Sequence, residues 1–109
     1  RAQQAAVAAV WPGAVCAEVD AAARDVLEEV GLAGYFTHST GHGVGVEIHE
    51  APRLAREQEE KLETGMVVTI EPGVYLPDDF GIRIEDMVLV TQTGRRILTP
   101  TGKELLELA

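Results

Sequence analysis

All three histidines of this 109-residue chain fall in one run, HSTGHGVGVEIHEAP, at His38, His42 and His49. Two later runs, TIEPG and RIED, each place a carboxylate, Glu71 or Glu85, in a strand-like stretch. One imidazole with two carboxylates is a borderline-hard donor set that suits Mn, Zn, Co or Fe. One carboxylate can bridge two cations and screen their repulsion. The other can hold a water on the metal and accept its proton. Three protein ligands are enough for one catalytic metal and few for two. Each residue also has a plainer reading. His42, with glycine on both sides, suits a turn. Glu71, at a strand end, suits solvent. Arg83 and Glu85 suit a weak surface pair. Yet a carboxylate set between Ile84 and Met87 is costly to bury without compensation. Arg83 could also steady a site carboxylate from outside the ligand sphere.

The spacing leaves a geometric problem. His42 and His49 are seven positions apart, so on a flat strand they face opposite sides. Their convergence requires a bulge, a twist or a turn near the glycines. Gly41, Gly43 and Gly45 do not form a dinucleotide fingerprint, because the run continues as a strand rather than opening a helix.

The elements that must hold these residues read as α+β. RAQQAAVAAVW is a helix-prone run ended by Pro12 and Gly13. A second helix is predicted over 17–30, with Val19, Ala22, Ala23, Val26, Leu27 and Val30 on one apolar face. Glu18, Asp20, Asp25, Glu28 and Glu29 are expected to face solvent. Val15 and Cys16 offer no side-chain cap, and Gly31 and Gly34 mark the exit. Strands are predicted over 44–48, 66–70 and 87–91. Parity groups Met66, Val68 and Ile70 against Val67, Thr69 and Glu71. It also groups Arg83, Glu85, Met87 and Leu89 against Ile82, Ile84, Asp86, Val88 and Val90. LAREQEEKLET reads as a charged turn or short helix, PGVYLPDDFG as a loop, TQTGRRIL as a hairpin around Gly94, and TPTGKELLELA as a closing helix. Two helices against a curved antiparallel sheet is the simplest packing.

Composition narrows the partners. There are 9 Lys and Arg against 18 Asp and Glu, a net charge of -9, which disfavours nucleic acid as a general partner. Apolar residues make up 46 %, which argues for a packed domain rather than disorder. Cys16 is the single cysteine, so no internal disulfide forms; an inert thiol in a reducing, cytoplasmic setting is expected. No run reaches the roughly 18 apolar residues of a membrane span, and no signal peptide is legible. The chain opens at Arg1 inside a helix-like run, so an upstream part is expected.

Taken together and in order, AVWPGAVCAEVDAAAR, HSTGHGVGVEIHEAP, LETGMVVTIEPGVY, GIRIEDMVLVT and LTPTGKELLEL resemble the creatinase/aminopeptidase, or pita-bread, metallopeptidases over nearly the whole chain. GIRIEDMVLVT looks like the Xaa-Pro aminopeptidase and prolidase branch. The resemblance implies two divalent metal ions (Mn, Co or Zn), with His42 a ligand of one. Glu71 would ligate that metal and act as acid/base partner of the bridging water, and Glu85 would bridge both metals. His38 and His49 would stabilise the peptide carbonyl and the developing oxyanion, and Arg83 would support the site. The substrate implied is a peptide with proline at the second position, and the parent protein a homodimer. The family also draws two aspartates from an upstream strand pair. Nothing in this sequence matches that pattern, so residues 1–109 look like the C-terminal portion of a catalytic domain, half of a pita-bread fold. Its N-terminal half would then be a required partner, and the isolated chain inactive. Alternatives of the same fold are a methionine aminopeptidase, a small-amide hydrolase, or a non-catalytic peptide- or protein-binding member.

Overall fold

A computed structural model describes residues 1–108. Helix α1 spans Ala2–Ala8 and α2 spans Cys16–Glu29, followed by a 3-10 turn at Ala33–Tyr35. Seven strands follow: β1 Gly41–Gly43, β2 Glu50–Leu54, β3 Val67–Ile70, β4 Gly73–Tyr75, β5 Gly81–Arg83, β6 Asp86–Thr91 and β7 Gly94–Ile97. Five form an antiparallel sheet in the order β2-β1-β3-β6-β7, and β4 and β5 form a separate hairpin. This is the expected α+β arrangement, helices packed on an antiparallel sheet.

The core lies between the helix pair and one sheet face. Ala6, Val7 and Val10 from the α1 side and Cys16, Val19 and Ala23 from α2 meet Val68 and Ile70 of β3 and Val88 and Val90 of β6. Fully burying one such aliphatic side chain stabilises the fold by about 1.5–3 kcal/mol. Strict alternation in β6 buries Asp86, Val88 and Val90 and leaves the intervening residues half-buried. Helix α2 indeed has no side-chain cap at Val15. Its first donors go to another segment instead: Cys16 N–H donates to Glu60 O at 2.8 Å and Ala17 N–H to Gln58 O at 2.9 Å.

Four expectations are corrected. The strand predicted over 44–48 is a loop; β1 begins earlier and ends at Gly43. The alternation of Val44, Val46 and Ile48 suggested pairing, but Val46 and Ile48 are exposed. The chain reverses there, with Gly45 N–H donating to Glu47 O, and the Glu50 carboxylate occupies the space where a Gly45 side chain would sit. The run PGVYLPDDFG, expected as a loop, instead supplies most of the β4–β5 hairpin, because Gly73–Tyr75 pairs with Gly81–Arg83. The charged run at 54–64 closes β2 with its first residue and turns at Arg56 and Glu57, one of its two expected forms. The closing helix is absent among the described residues 101–108. Thr99 and Lys103 are instead bound to Asp86, and Leu105, Leu106 and Leu108 find nothing to pack on. A helix that short is marginal in water without such packing. Finally, Asp20 does not face solvent but is fully buried. Its carboxylate bonds Arg24 and Thr40.

Candidate active site

Strand pairing solves the spacing problem. Between His42 and Gly43 the β1–β2 register slips: His42 faces Arg53, whereas Gly43 faces Glu50. This irregularity and the 44–49 reversal bring the His42 and His49 rings to 4.4 Å between centroids. On the other side of β1, Gly43 pairs with Val68 of β3. Glu71 directly follows β3, and Ile70 pairs with Asp86, so one further step of the register sets Glu71 beside Glu85. Glycine is required in β1. A side chain at Gly41 would overlap the Thr69 carbonyl, and one at Gly43 the Ala51 carbonyl.

His42, His49, Glu71, Glu85 and Arg83 line one cavity of about 300 Å³, together with Val44, Ile48, Thr69 and Met87. His42 Nδ1–H donates to Gly43 O at 2.8 Å. In the neutral ring this leaves the Nε2 lone pair outward, and Nε2 lies 3.6 Å from Glu71 Oε2. A lone pair facing a carboxylate is repulsive unless a cation or a proton lies between. The Glu85 carboxyl is pushed above its ordinary value, first by burial and then by the charge and hydrogen bond of Glu71, with Arg83 and His42 opposing. Arg83 is held above its usual range by a Tyr75 hydrogen bond and by the Tyr75 and Glu71 charges. It stands 3.9 Å from Glu85 with both side chains about half exposed, so that contact is loose.

His38 lies apart from this cavity. Its Nδ1–H donates to Ser39 O at 2.7 Å, and in the neutral ring Nε2 accepts the Tyr75 hydroxyl at 2.8 Å. Its ring packs edge-on to Phe36 with centroids 5.0 Å apart. Tyr75 of β4 thus anchors the His38 ring, a contact that the loop reading of PGVYLPDDFG did not reveal.

The donor set fits a divalent cation in chemistry: an outward imidazole nitrogen and two crowded carboxylates, short of positive charge. It does not fit in number. Among the described residues no group of three or more His, Cys, Asp or Glu closes enough to hold a metal ion.

Residues 1–92 match metallopeptidase family M24. The chain belongs to family M24. It is 52% identical over 105 residues to the Xaa-Pro dipeptidase of Pyrococcus furiosus, covering 96% of this chain and 30% of that protein. It superimposes on dipeptidase PepE from Mycobacterium ulcerans with a TM-score of 0.95 and 52% identity, over 97% of this chain and 29% of that one. For the prolidase from Pyrococcus horikoshii OT3 the TM-score is 0.93 and the identity 48%, over 96% and 30%. The similarity is to the Xaa-Pro dipeptidase and prolidase branch of M24. The chain spans about 30% of the length of these relatives.

Proposed function

We propose that the protein carrying this chain is a dinuclear metal-dependent peptidase of the M24 family that hydrolyses the bond preceding proline, and that residues 1–109 are the C-terminal portion of its catalytic domain. The observation that carries this reading is the convergence of His42, Glu71 and Glu85 on one cavity, in a chain so similar to Xaa-Pro dipeptidases. His42, Glu71 and Glu85 would hold the metals, and two further carboxylates from elsewhere in the protein would complete the set. When bound, two divalent ions (Mn, Co or Zn) would supply an activated water and polarise the scissile carbonyl. Glu71 receives the proton of the attacking water on its carboxylate. Its proximity to His42 and Glu85 sets the position of that proton. His49 donates to the carbonyl oxygen as negative charge develops. His38, whose ring nitrogens are engaged by Ser39 O and the Tyr75 hydroxyl, would join it only by exchanging its Tyr75 contact for the substrate. Arg83 steadies the Glu71 and Glu85 carboxylates. The active protein is a cytoplasmic homodimer on this reading, in keeping with the one unpaired thiol within residues 1–109.

Proline has no amide hydrogen and a fixed ring direction. A site for the bond before it needs carbonyl donors and an apolar wall rather than an acceptor for that hydrogen. The test is the full-length protein, loaded in turn with Mn, Co or Zn, given Xaa-Pro dipeptides, Xaa-Pro-Xaa tripeptides and Met-Ala-Xaa peptides side by side. Preferential cleavage before proline is expected. Preference for the methionyl peptide would move the assignment to a methionine aminopeptidase. A folded, metal-loaded protein that cleaves none of them would favour small-amide hydrolysis.

A further inference from the structure

The segment 36–42 carries two of the three histidines, yet only Gly41 and His42 within it belong to a strand. Something else must fix it, and that is a buried ion pair on α2. The Asp20 side chain is 1% exposed and that of Arg24 13%. Asp20 Oδ2 accepts Arg24 Nε–H at 2.6 Å. Asp20 Oδ1 accepts the Thr40 hydroxyl at 2.7 Å and the Thr40 backbone N–H at 3.2 Å. The two remaining arms of Arg24 donate to Phe36 O at 3.1 Å and His38 O at 2.7 Å. Its guanidinium also lies over the Phe36 ring, 4.1 Å from the centroid. One pair of side chains therefore grips the segment at Phe36, His38 and Thr40.

The grip reaches the candidate ligands from both sides. The Thr40 carbonyl accepts Glu71 N–H at 2.7 Å, the backbone of the candidate general base. Two residues on, His42 N–H donates to Thr69 Oγ1 at 3.1 Å, in the strand that leads to Glu71. Thr40 thus stands between the buried carboxylate and the backbones of both Glu71 and His42. Sheet pairing alone would leave the approach to His42 tethered at one end.

We propose that Asp20 and Arg24 are positioning residues that set the separation and orientation of His42 and Glu71, and with them the placement of the His38 ring. They touch no substrate and act through Thr40 and the backbone of residues 36–40. The proposal rests on the assignment of His42 and Glu71 as ligands. It goes beyond that assignment by placing control of the site in α2, a helix that lends it no ligand. The demand is for a planar fork with three donor directions. Lysine can match the charge of Arg24 but cannot reach Asp20, Phe36 O and His38 O together. Asparagine at position 20 can still accept from Thr40, but it turns an amide donor toward Arg24.

The experiment compares full-length wild type with Asp20→Asn, Arg24→Lys and Val10→Ala, the last a core variant whose side chain makes none of these hydrogen bonds. Manganese affinity by chelator competition, the ring signals of His38 and His42 by NMR in metal-free protein, and kcat and KM on an Xaa-Pro dipeptide are measured with Tm. The two positioning variants are expected to shift both ring signals and to weaken metal binding by about 10–100-fold. They should lower kcat by at least about 10-fold while KM stays within about 3-fold. Val10→Ala should lose Tm without these changes. If Asp20→Asn does not fold, Arg24→Lys carries the comparison. Ring signals and metal affinity as insensitive in the positioning variants as in Val10→Ala would overturn the proposal. These two readouts need no substrate. Absence of Xaa-Pro cleavage in wild type would therefore count against the proposed function and leave the positioning result standing on its own.

Discussion

His42 Nε2 stands 3.6 Å from Glu71 Oε2, across the junction where Gly43 of β1 pairs with Val68 of β3. The contact is too long for a hydrogen bond and close enough for both atoms to share a cation. If Glu71 accepts the proton of the attacking water, Glu71→Gln in the full-length protein should lower kcat by about 10²–10⁴-fold. The amide keeps the volume and a metal-facing oxygen but cannot take the proton. Metal content measured on the same samples should fall much less than turnover. Turnover near the wild-type value would remove Glu71 from its assigned role.

The His49 ring lies 4.4 Å from that of His42 but stands on an exposed reversal rather than in a strand. Its assigned contact is with the carbonyl oxygen, so His49→Ala should cost turnover rather than metal. A loss of about 10²-fold in kcat is expected, the scale of one oxyanion donor, with metal stoichiometry close to wild type. A variant that loses its metal would instead make His49 a ligand.

Gly41 faces the Thr69 carbonyl so closely that a methyl group would overlap it, with Thr69 Oγ1 at 3.2 Å. Gly41→Ala must push β1 from β3 and carry His42 away from Glu71. Overpacking of this kind costs about 1–3 kcal/mol or more. Gly102 has nothing within 4 Å of the same position, so Gly102→Ala should be neutral. Urea midpoints of the two full-length variants against wild type check the contrast. Equal midpoints would mean that β1 and β3 are not so tightly apposed.

Periodicity made the helix at Cys16–Glu29 and the strands around Val68 and Val88 legible, because each has an apolar stripe that meets the core. The hairpin at Gly94 was legible from its turn residues instead. The same reasoning failed at 44–48, where alternation is present but no neighbouring strand takes it up. It failed at Asp20 for the opposite reason. Asp20 lies four residues after Cys16 and three before Ala23, both buried, so helical spacing already put it on the inner face. Its charge argued for solvent. The signal that resolves the conflict is Arg24, four residues on, at ion-pair spacing. His42, Glu71 and Glu85 were recognisable as candidates from residue type. Their meeting was not, because it depends on a register slip and on which strands pair. Tyr75 and Thr40 were hidden because their partners, His38 for the one and Asp20 and Glu71 for the other, lie far away in sequence and meet them only in the fold.

The 109-residue chain by itself should not hydrolyse Xaa-Pro peptides. Three donors crowd one cavity, but among the described residues no metal-holding group closes, and an unclosed set binds metal weakly. The purified chain with added Mn, Co or Zn is expected to show no turnover above metal alone. Turnover typical of enzymes, about 1–10³ per second, would show that these donors suffice.

Cys16 opens α2 from inside the core, with no exposed surface. Burial, and then the Glu60 carboxylate, push its thiol from an ordinary value of 9.0 up to about 11. The sign of the stability effect follows from which state loses its proton first. Above about pH 9 the unfolded thiol ionises while the folded one does not, so rising pH favours unfolding. The stabilising difference is whole below that pH and is lost as pH climbs through 11. Two units correspond to roughly 2–3 kcal/mol. Cys16→Ala should lower the urea midpoint at neutral pH, because it leaves a small cavity, yet flatten the fall of that midpoint between about pH 9 and 11. Cys16 is the only thiol in these 109 residues. In the folded chain near pH 8 it should react with an aromatic disulfide reagent at least about 100-fold more slowly than in denaturant. Equal reaction rates in the two conditions would mean that α2 does not seal the thiol against the sheet.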